Sequence, residues 1–140
     1  MKSYVVDASV AVKWFVPEVH SIHAKRLLQK DVVLLAPDLL FAEVGNVLWK
    51  RWRRKEMEAA EAKSILLHLH QFAIQRVSAY ELSDMAWPVA AQTGRTFYDS
   101  LYVALAIRAD APLVTADRRL FNELSSGPLR QYLLWIDDLG

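Results

Sequence analysis

Asp7, Glu43, Asp99 and Asp117 are the residues whose type and setting point to chemistry. Asp7 ends the apolar run Tyr4-Val5-Val6, and Glu43 lies inside Leu39-Leu40-Phe41-Ala42-Glu43-Val44. Asp99 opens Ser100-Leu101-Tyr102-Val103-Ala104-Leu105-Ala106-Ile107, and Asp117 follows Pro112-Leu113-Val114-Thr115-Ala116. An unpaired carboxylate in apolar surroundings is expensive on the scale of a domain's whole stability, so buried acids have partners. Four of them suggest a shared one, and a hard divalent cation serves several carboxylates at once. Together they would carry up to four negative charges and raise one another's pKa values without a cation. An oxygen-only donor set selects Mg2+ or Mn2+ over zinc. Such a site polarises a phosphodiester and lowers the pKa of a bound water, which implies metal-dependent hydrolysis of a phosphate ester.

Local roles compete with this reading. Asp7 and Asp117 both read as helix N-caps, and Thr96-Phe97-Tyr98-Asp99 fits a capping box. Capping uses only part of a carboxylate's acceptor capacity, so the roles are compatible. Glu43 has no charge partner among Leu39, Leu40, Asn46 and Val47, its neighbours at helical spacing. Glu43, Asn46 and Lys50 form a polar stripe on an otherwise apolar turn, either a solvated face or one side of a polar pocket. His20 and His23 are spaced i, i+3, and His68 and His70 i, i+2; both pairs read as surface histidines, the second on different helix faces. Ser9 and Ser100 have no nearby histidine base, and no Gly-rich phosphate loop is present.

The elements that must position these acids alternate. Apolar runs predict strands near 2–6, 32–35, 75–78, 112–115 and 132–136. Helical patterns fill 8–15, 20–30, 38–55, 57–73, 80–93, 98–110 and 118–124. Val32-Val33-Leu34-Leu35 and Tyr132-Leu133-Leu134-Trp135-Ile136 are continuously apolar, as strands covered on both faces are. The order predicts a doubly wound α/β sandwich. Sites in such sheets form at the carboxyl ends of the strands, where strand order switches. The separations of 36, 56 and 18 residues between successive acids then close to one sheet edge.

The totals set the frame. At 140 residues the chain reads as one domain, 1–140. The absence of cysteine excludes disulfides and thiolate metal sites and fits a reducing compartment. Neither a signal-type apolar segment nor a membrane-length run is present. Net charge is +1, yet Lys50-Arg51-Trp52-Arg53-Arg54-Lys55 places five cations in six residues. That run is a solvated helix end or a phosphate-backbone contact. Lys13, Arg95, Arg118 and Arg119 lie close in sequence to the acids and are candidates for guiding phosphates. Five tryptophans in so short a chain suggest a protein interface.

Taken together, four segments resemble the PIN-domain nucleases, and within them the VapC-like toxins: Val5-Val6-Asp7-Ala8-Ser9-Val10, Pro37 to Asn46, Tyr98 to Ala106, and Leu113 to Leu120. They occur in the family's order across nearly the whole chain. The resemblance implies a PIN-like three-layer α/β/α sandwich with a mostly parallel five-stranded sheet. It implies a cytoplasmic, Mg2+- or Mn2+-dependent endoribonuclease that hydrolyses RNA, forms a homodimer and is inhibited by a cognate antitoxin protein. Carried over by position, Asp7 and Asp99 are the principal metal ligands, Glu43 and Asp117 supporting acids, and Thr115 the hydroxyl that orients the site. Some PIN nucleases carry a further acid two residues after the last Asp, where this chain has Arg119.

Other classes remain open at this level. One is a PIN nuclease acting on other RNA or on structured DNA, and another a catalytically weak module that binds metal and a partner. Trp14, Phe15, Trp49 and Trp52 could line a partner groove. A haloacid-dehalogenase-type phosphatase wants an Asp where Ser9 stands, and a receiver domain wants adjacent acids where Asp7-Ala8 stands.

Overall fold

The computed structural model describes residues 2–139. Its five strands are β1 (Lys2–Val6), β2 (Val32–Pro37), β3 (Ile74–Val77), β4 (Leu113–Thr115) and β5 (Leu133–Trp135). They form one sheet in the order β3-β2-β1-β4-β5, and every neighbouring pair is parallel. The inner strands explain why. Val5, Val6, Leu113 and Val114 are all 0% exposed, so both faces of the sheet centre are covered.

Every strand-to-strand connection carries helix. The helices are α1 (Ala8–Ala11), α2 (Ser21–Lys25), α3 (Leu39–Arg53), α4 (Ala59–Leu69), α5 (Ala79–Thr93), α6 (Phe97–Ala109) and α7 (Arg118–Ser125). Right-handed crossovers place α1 to α4 on one face and α5 to α7 on the other, giving the three-layer sandwich that the pattern predicts. The longest apolar helix, α6, is buried from Ser100 through Ala106. It is apolar all round because it lies between α5 and strands β1, β2 and β4.

The chain departs from the sequence pattern where helices are short. The helix expected over 8–15 runs only to Ala11 and tightens into a 3-10 turn at Val12–Trp14. Val10 and Val12 are β-branched, and Pro17 bars a helical Val16. The helix expected over 20–30 likewise divides into α2 and a 3-10 turn at Arg26–Leu28. The helix expected over 57–73 spans only Ala59–Leu69. Pro37 ends β2, pairing with Val77, and stands two residues before the start of α3. Among the described residues no helix is long and apolar enough to cross a membrane.

Candidate active site

Strand order decides where the acids meet. The chain lays β2 and β3 on one side of β1, then crosses to lay β4 and β5 on the other. The switch therefore falls between β1 and β4, whose register pairs Val6 with Val114. Asp7 and Thr115 are the next residues along, and they touch. Thr115 Oγ1 donates to Asp7 Oδ2 at 2.6 Å, across 108 residues of sequence.

Asp7 is the best-held acid. Its Oδ1 accepts from Ser9 Oγ at 2.5 Å and from the Val10 amide at 3.2 Å, so it caps α1 as expected. It is only 8% exposed. Burial pushes its carboxyl up from 3.8 to about 6, against the pull of Ser9, Thr115 and Val10, and the Asp117 charge adds to the rise. Ser9 also accepts from the Ala116 amide at 3.0 Å, and Thr115 Oγ1 from the Asp117 amide at 3.0 Å. Two hydroxyls thus tie the β1 exit to the β4 exit. Ser9, set aside as a nucleophile, is a structural part of this corner.

Asp117 is exposed and caps α7, accepting from the Arg119 and Leu120 amides through Oδ1. Asp99 stands in the first turn of α6. Thr96 Oγ1 accepts from its amide at 3.1 Å, but the reciprocal half of the capping box does not form. The Asp99 carboxylate turns to Arg95 instead, with Nη2 at 2.7 Å and Nε at 3.2 Å. Arg95 also donates to Glu123 of α7 at 2.5 Å. Burial alone would lower the Arg95 guanidinium, but Glu123 and Asp99 outweigh it and hold it raised.

Glu43 has a partner after all. Tyr102, three residues beyond Asp99 on the same face of α6, donates its hydroxyl to Glu43 Oε1 at 2.6 Å. Burial raises the Glu43 carboxyl, the Tyr102 bond opposes this, and the Asp99 charge adds to it. The buried Tyr102 phenol is raised as well, by burial first and then by Glu43, Asp7 and Asp99. One hydroxyl therefore senses three of the four acids. Tyr102 looked like one more apolar residue of its run, and only its spacing from Asp99 hints at the role. Glu43 opens onto a groove lined by Ala8, Asn46, Lys50 and Tyr98.

The donor set fits a hard divalent cation. It is oxygen-only, and the buried Asp7 carboxylate is met by three neutral donors. The carboxylates are not drawn into a tight cage, since among the described residues the one close group of three possible metal-binding side chains is His20, His23 and Asp137. Each acid holds a local partner, and the nearest cation, Arg95, is bound to Asp99.

The phosphate-guiding candidates are mostly engaged. Lys13 pairs with Glu18 at 3.6 Å, and Arg118 lies 3.7 Å over the Trp135 ring. Arg51 of the basic run pairs with Glu18 and Glu56. Arg119 stays 84% exposed beside Glu123. Two groove candidates are core instead. Trp14 is buried, donates to the Ala24 carbonyl at 2.9 Å and stacks on Phe72, and Phe15 packs on Phe72 and His68. Trp49 and Trp52 are exposed and, with Leu48, Ala62 and Leu66, line an apolar groove between α3 and α4.

A parallel sheet with acids at the β1/β4 switch defines a class, and the sequence family agrees with it. The chain belongs to the PIN domain family, whose model matches residues 4–126. It is 39% identical over 118 residues to Ribonuclease VapC3 of Pyrobaculum aerophilum, covering 83% of this chain and 90% of that one. It is 36% identical over 121 residues to Ribonuclease VapC1 of Mycobacterium tuberculosis, covering 86% and 90%. The solved structure of PAE2754 from Pyrobaculum aerophilum superposes with a TM-score of 0.71 at 25% identity, over 99% of this chain and 86% of that one.

Proposed function

We propose that residues 1–140 form a single PIN unit that acts as a metal-dependent endoribonuclease, the toxin of a toxin–antitoxin pair, in the cytoplasm. Relatives named Ribonuclease VapC at 39% and 36% identity support the reading. The observation that carries it is Asp7: buried at the switch point, raised to about 6 and met by neutral donors. Asp7 and Asp99 are the principal ligands of Mg2+ or Mn2+, with Glu43 and Asp117 in support. A divalent cation held there would polarise the scissile phosphodiester and lower the pKa of a bound water.

The chain's own residues do the positioning. Thr115 and Ser9 fix both Asp7 oxygens, and Tyr102 fixes one oxygen of Glu43. Asp99 enters the site by turning from Arg95, which then keeps only its Glu123 partner and faces the RNA backbone. Arg119 and Lys50, both exposed, meet neighbouring phosphates. The partners are RNA, a second copy of the chain and an antitoxin, a basic side chain of which would enter the acidic pocket and compete with metal. Solved VapBC complexes share the fold.

The test is Mg2+-dependent cleavage of single-stranded RNA, with structured DNA alongside. Asp7→Asn and Asp99→Asn are expected to abolish RNA cleavage while keeping the native circular dichroism spectrum. Full activity in either purified variant overturns the assignment.

A further inference from the structure

Where α2 meets the turn that follows β5, three side chains come together that the nuclease site does not use. His20 and His23 come from the entry and the first turn of α2, and Asp137 from the last 3-10 turn, Ile136–Asp138. One ligand atom from each lies within 4.8 Å of the other two. His20 Nδ1 is 2.5 Å and His23 Nδ1 3.6 Å from the same oxygen, Asp137 Oδ1. We propose that His20, His23 and Asp137 form a second metal site, for a borderline transition-metal cation of the Zn2+ type.

The chemistry separates it from the carboxylate site. Two imidazole nitrogens and one carboxylate oxygen suit Zn2+, whereas Mg2+ and Mn2+ favour oxygen donors. Neighbouring ligands in a tetrahedral zinc site stand ~3.3 Å apart, given bonds of ~2.0 Å. The His23–Asp137 separation of 3.6 Å is already close to that. The His20–Asp137 contact is shorter, at 2.5 Å. A cation between the two needs them to open by roughly 0.8 Å, a small side-chain rotation.

The backbone supports the arrangement. His20 has φ +71°, a left-handed conformation uncommon outside glycine. The His23 ring lies beside that of His20, with centroids 6.2 Å apart. The His20 ring packs edge-on to Trp135, with centroids 5.7 Å apart, which gives the site an apolar wall. The three side chains are 25%, 32% and 40% exposed, so a cation and a completing water have access from solvent. By contrast, His68 packs on Phe15 and Phe72 and His70 on Phe41. Occupied, the site would clip α2 to the exit of the edge strand β5.

The experiment uses the full chain, stripped by chelator and held in excess Mg2+ so that the carboxylates are served. Calorimetric titration with Zn2+ is expected to find one ion per chain and a raised melting temperature. Co2+ in its place is expected to give visible absorption bands of low coordination number. His23→Gln and Asp137→Asn should each weaken Zn2+ binding about tenfold or more, while Asp7→Asn should leave it unchanged. His23→Gln should leave Mg2+-dependent RNA cleavage unchanged. No Zn2+ binding in excess Mg2+, or binding that survives His23→Gln and Asp137→Asn but not Asp7→Asn, overturns the proposal.

Discussion

Asp7→Asn changes one atom and removes one titration, which makes it a direct probe of the buried acid. The Asp7 carboxyl is held at about 6 in the folded chain against 3.8 in an unfolded one. That difference is worth about 3 kcal/mol, the extra cost of ionising the group in the fold. The sign follows from proton binding. Between pH 3.8 and about 6 the folded chain keeps a proton that the unfolded chain has lost, so stability falls as pH rises. Below that window both states are protonated and there is no penalty; above it the penalty is complete. The asparagine variant has no such step. Urea unfolding in chelator, from roughly pH 3.5 to 7.5, reads both curves. Other carboxylates titrate in both proteins and largely cancel in the difference. The stability of Asp7→Asn minus that of the wild type should therefore climb by about 3 kcal/mol across the window, whatever its value at low pH. Added Mg2+ should then restore the wild type, and only the wild type, above about pH 6. A difference that stays flat within ~0.5 kcal/mol refutes the claim that Asp7 is a strained, cation-seeking acid.

Arg95 and Tyr102 give further tests. Arg95→Ala frees Asp99 from its ion pair, and Mn2+ binding by calorimetry should tighten about fivefold, the equivalent of ~1 kcal/mol; unchanged or weaker binding would mean that Arg95 does not compete for the site. Tyr102→Phe removes the 2.6 Å bond to Glu43 and should cost about 1.5–3 kcal/mol in urea unfolding. It also removes the donor that opposes burial at Glu43, so the acid limb of the RNA-cleavage profile should move to higher pH. An unmoved limb would show that Glu43 is held by something else.

What the sequence determined was local. Acids bordering apolar runs, alternating β and α patterns and caps within one turn are all properties of neighbouring residues. Asp7 on Val10, Thr96 on the Asp99 amide and Asp117 on Leu120 are such cases, because backbone geometry over three residues leaves little choice. The tertiary structure decided which distant groups answer those acids. Strand order β3-β2-β1-β4-β5 sets Thr115 against Asp7 across 108 residues, and the packing of α3 and α6 about that sheet brings Tyr102 to Glu43 across 59. The reciprocal half of the capping box at Asp99 gave way because Arg95, itself held by Glu123, offered the carboxylate a charge-assisted alternative. Trp14, as apolar on paper as Trp49, went into the core because Phe72 and the Ala24 carbonyl met it there. The side chains that partner a buried charge are chosen by how layers stack, and stacking is a property of the whole chain.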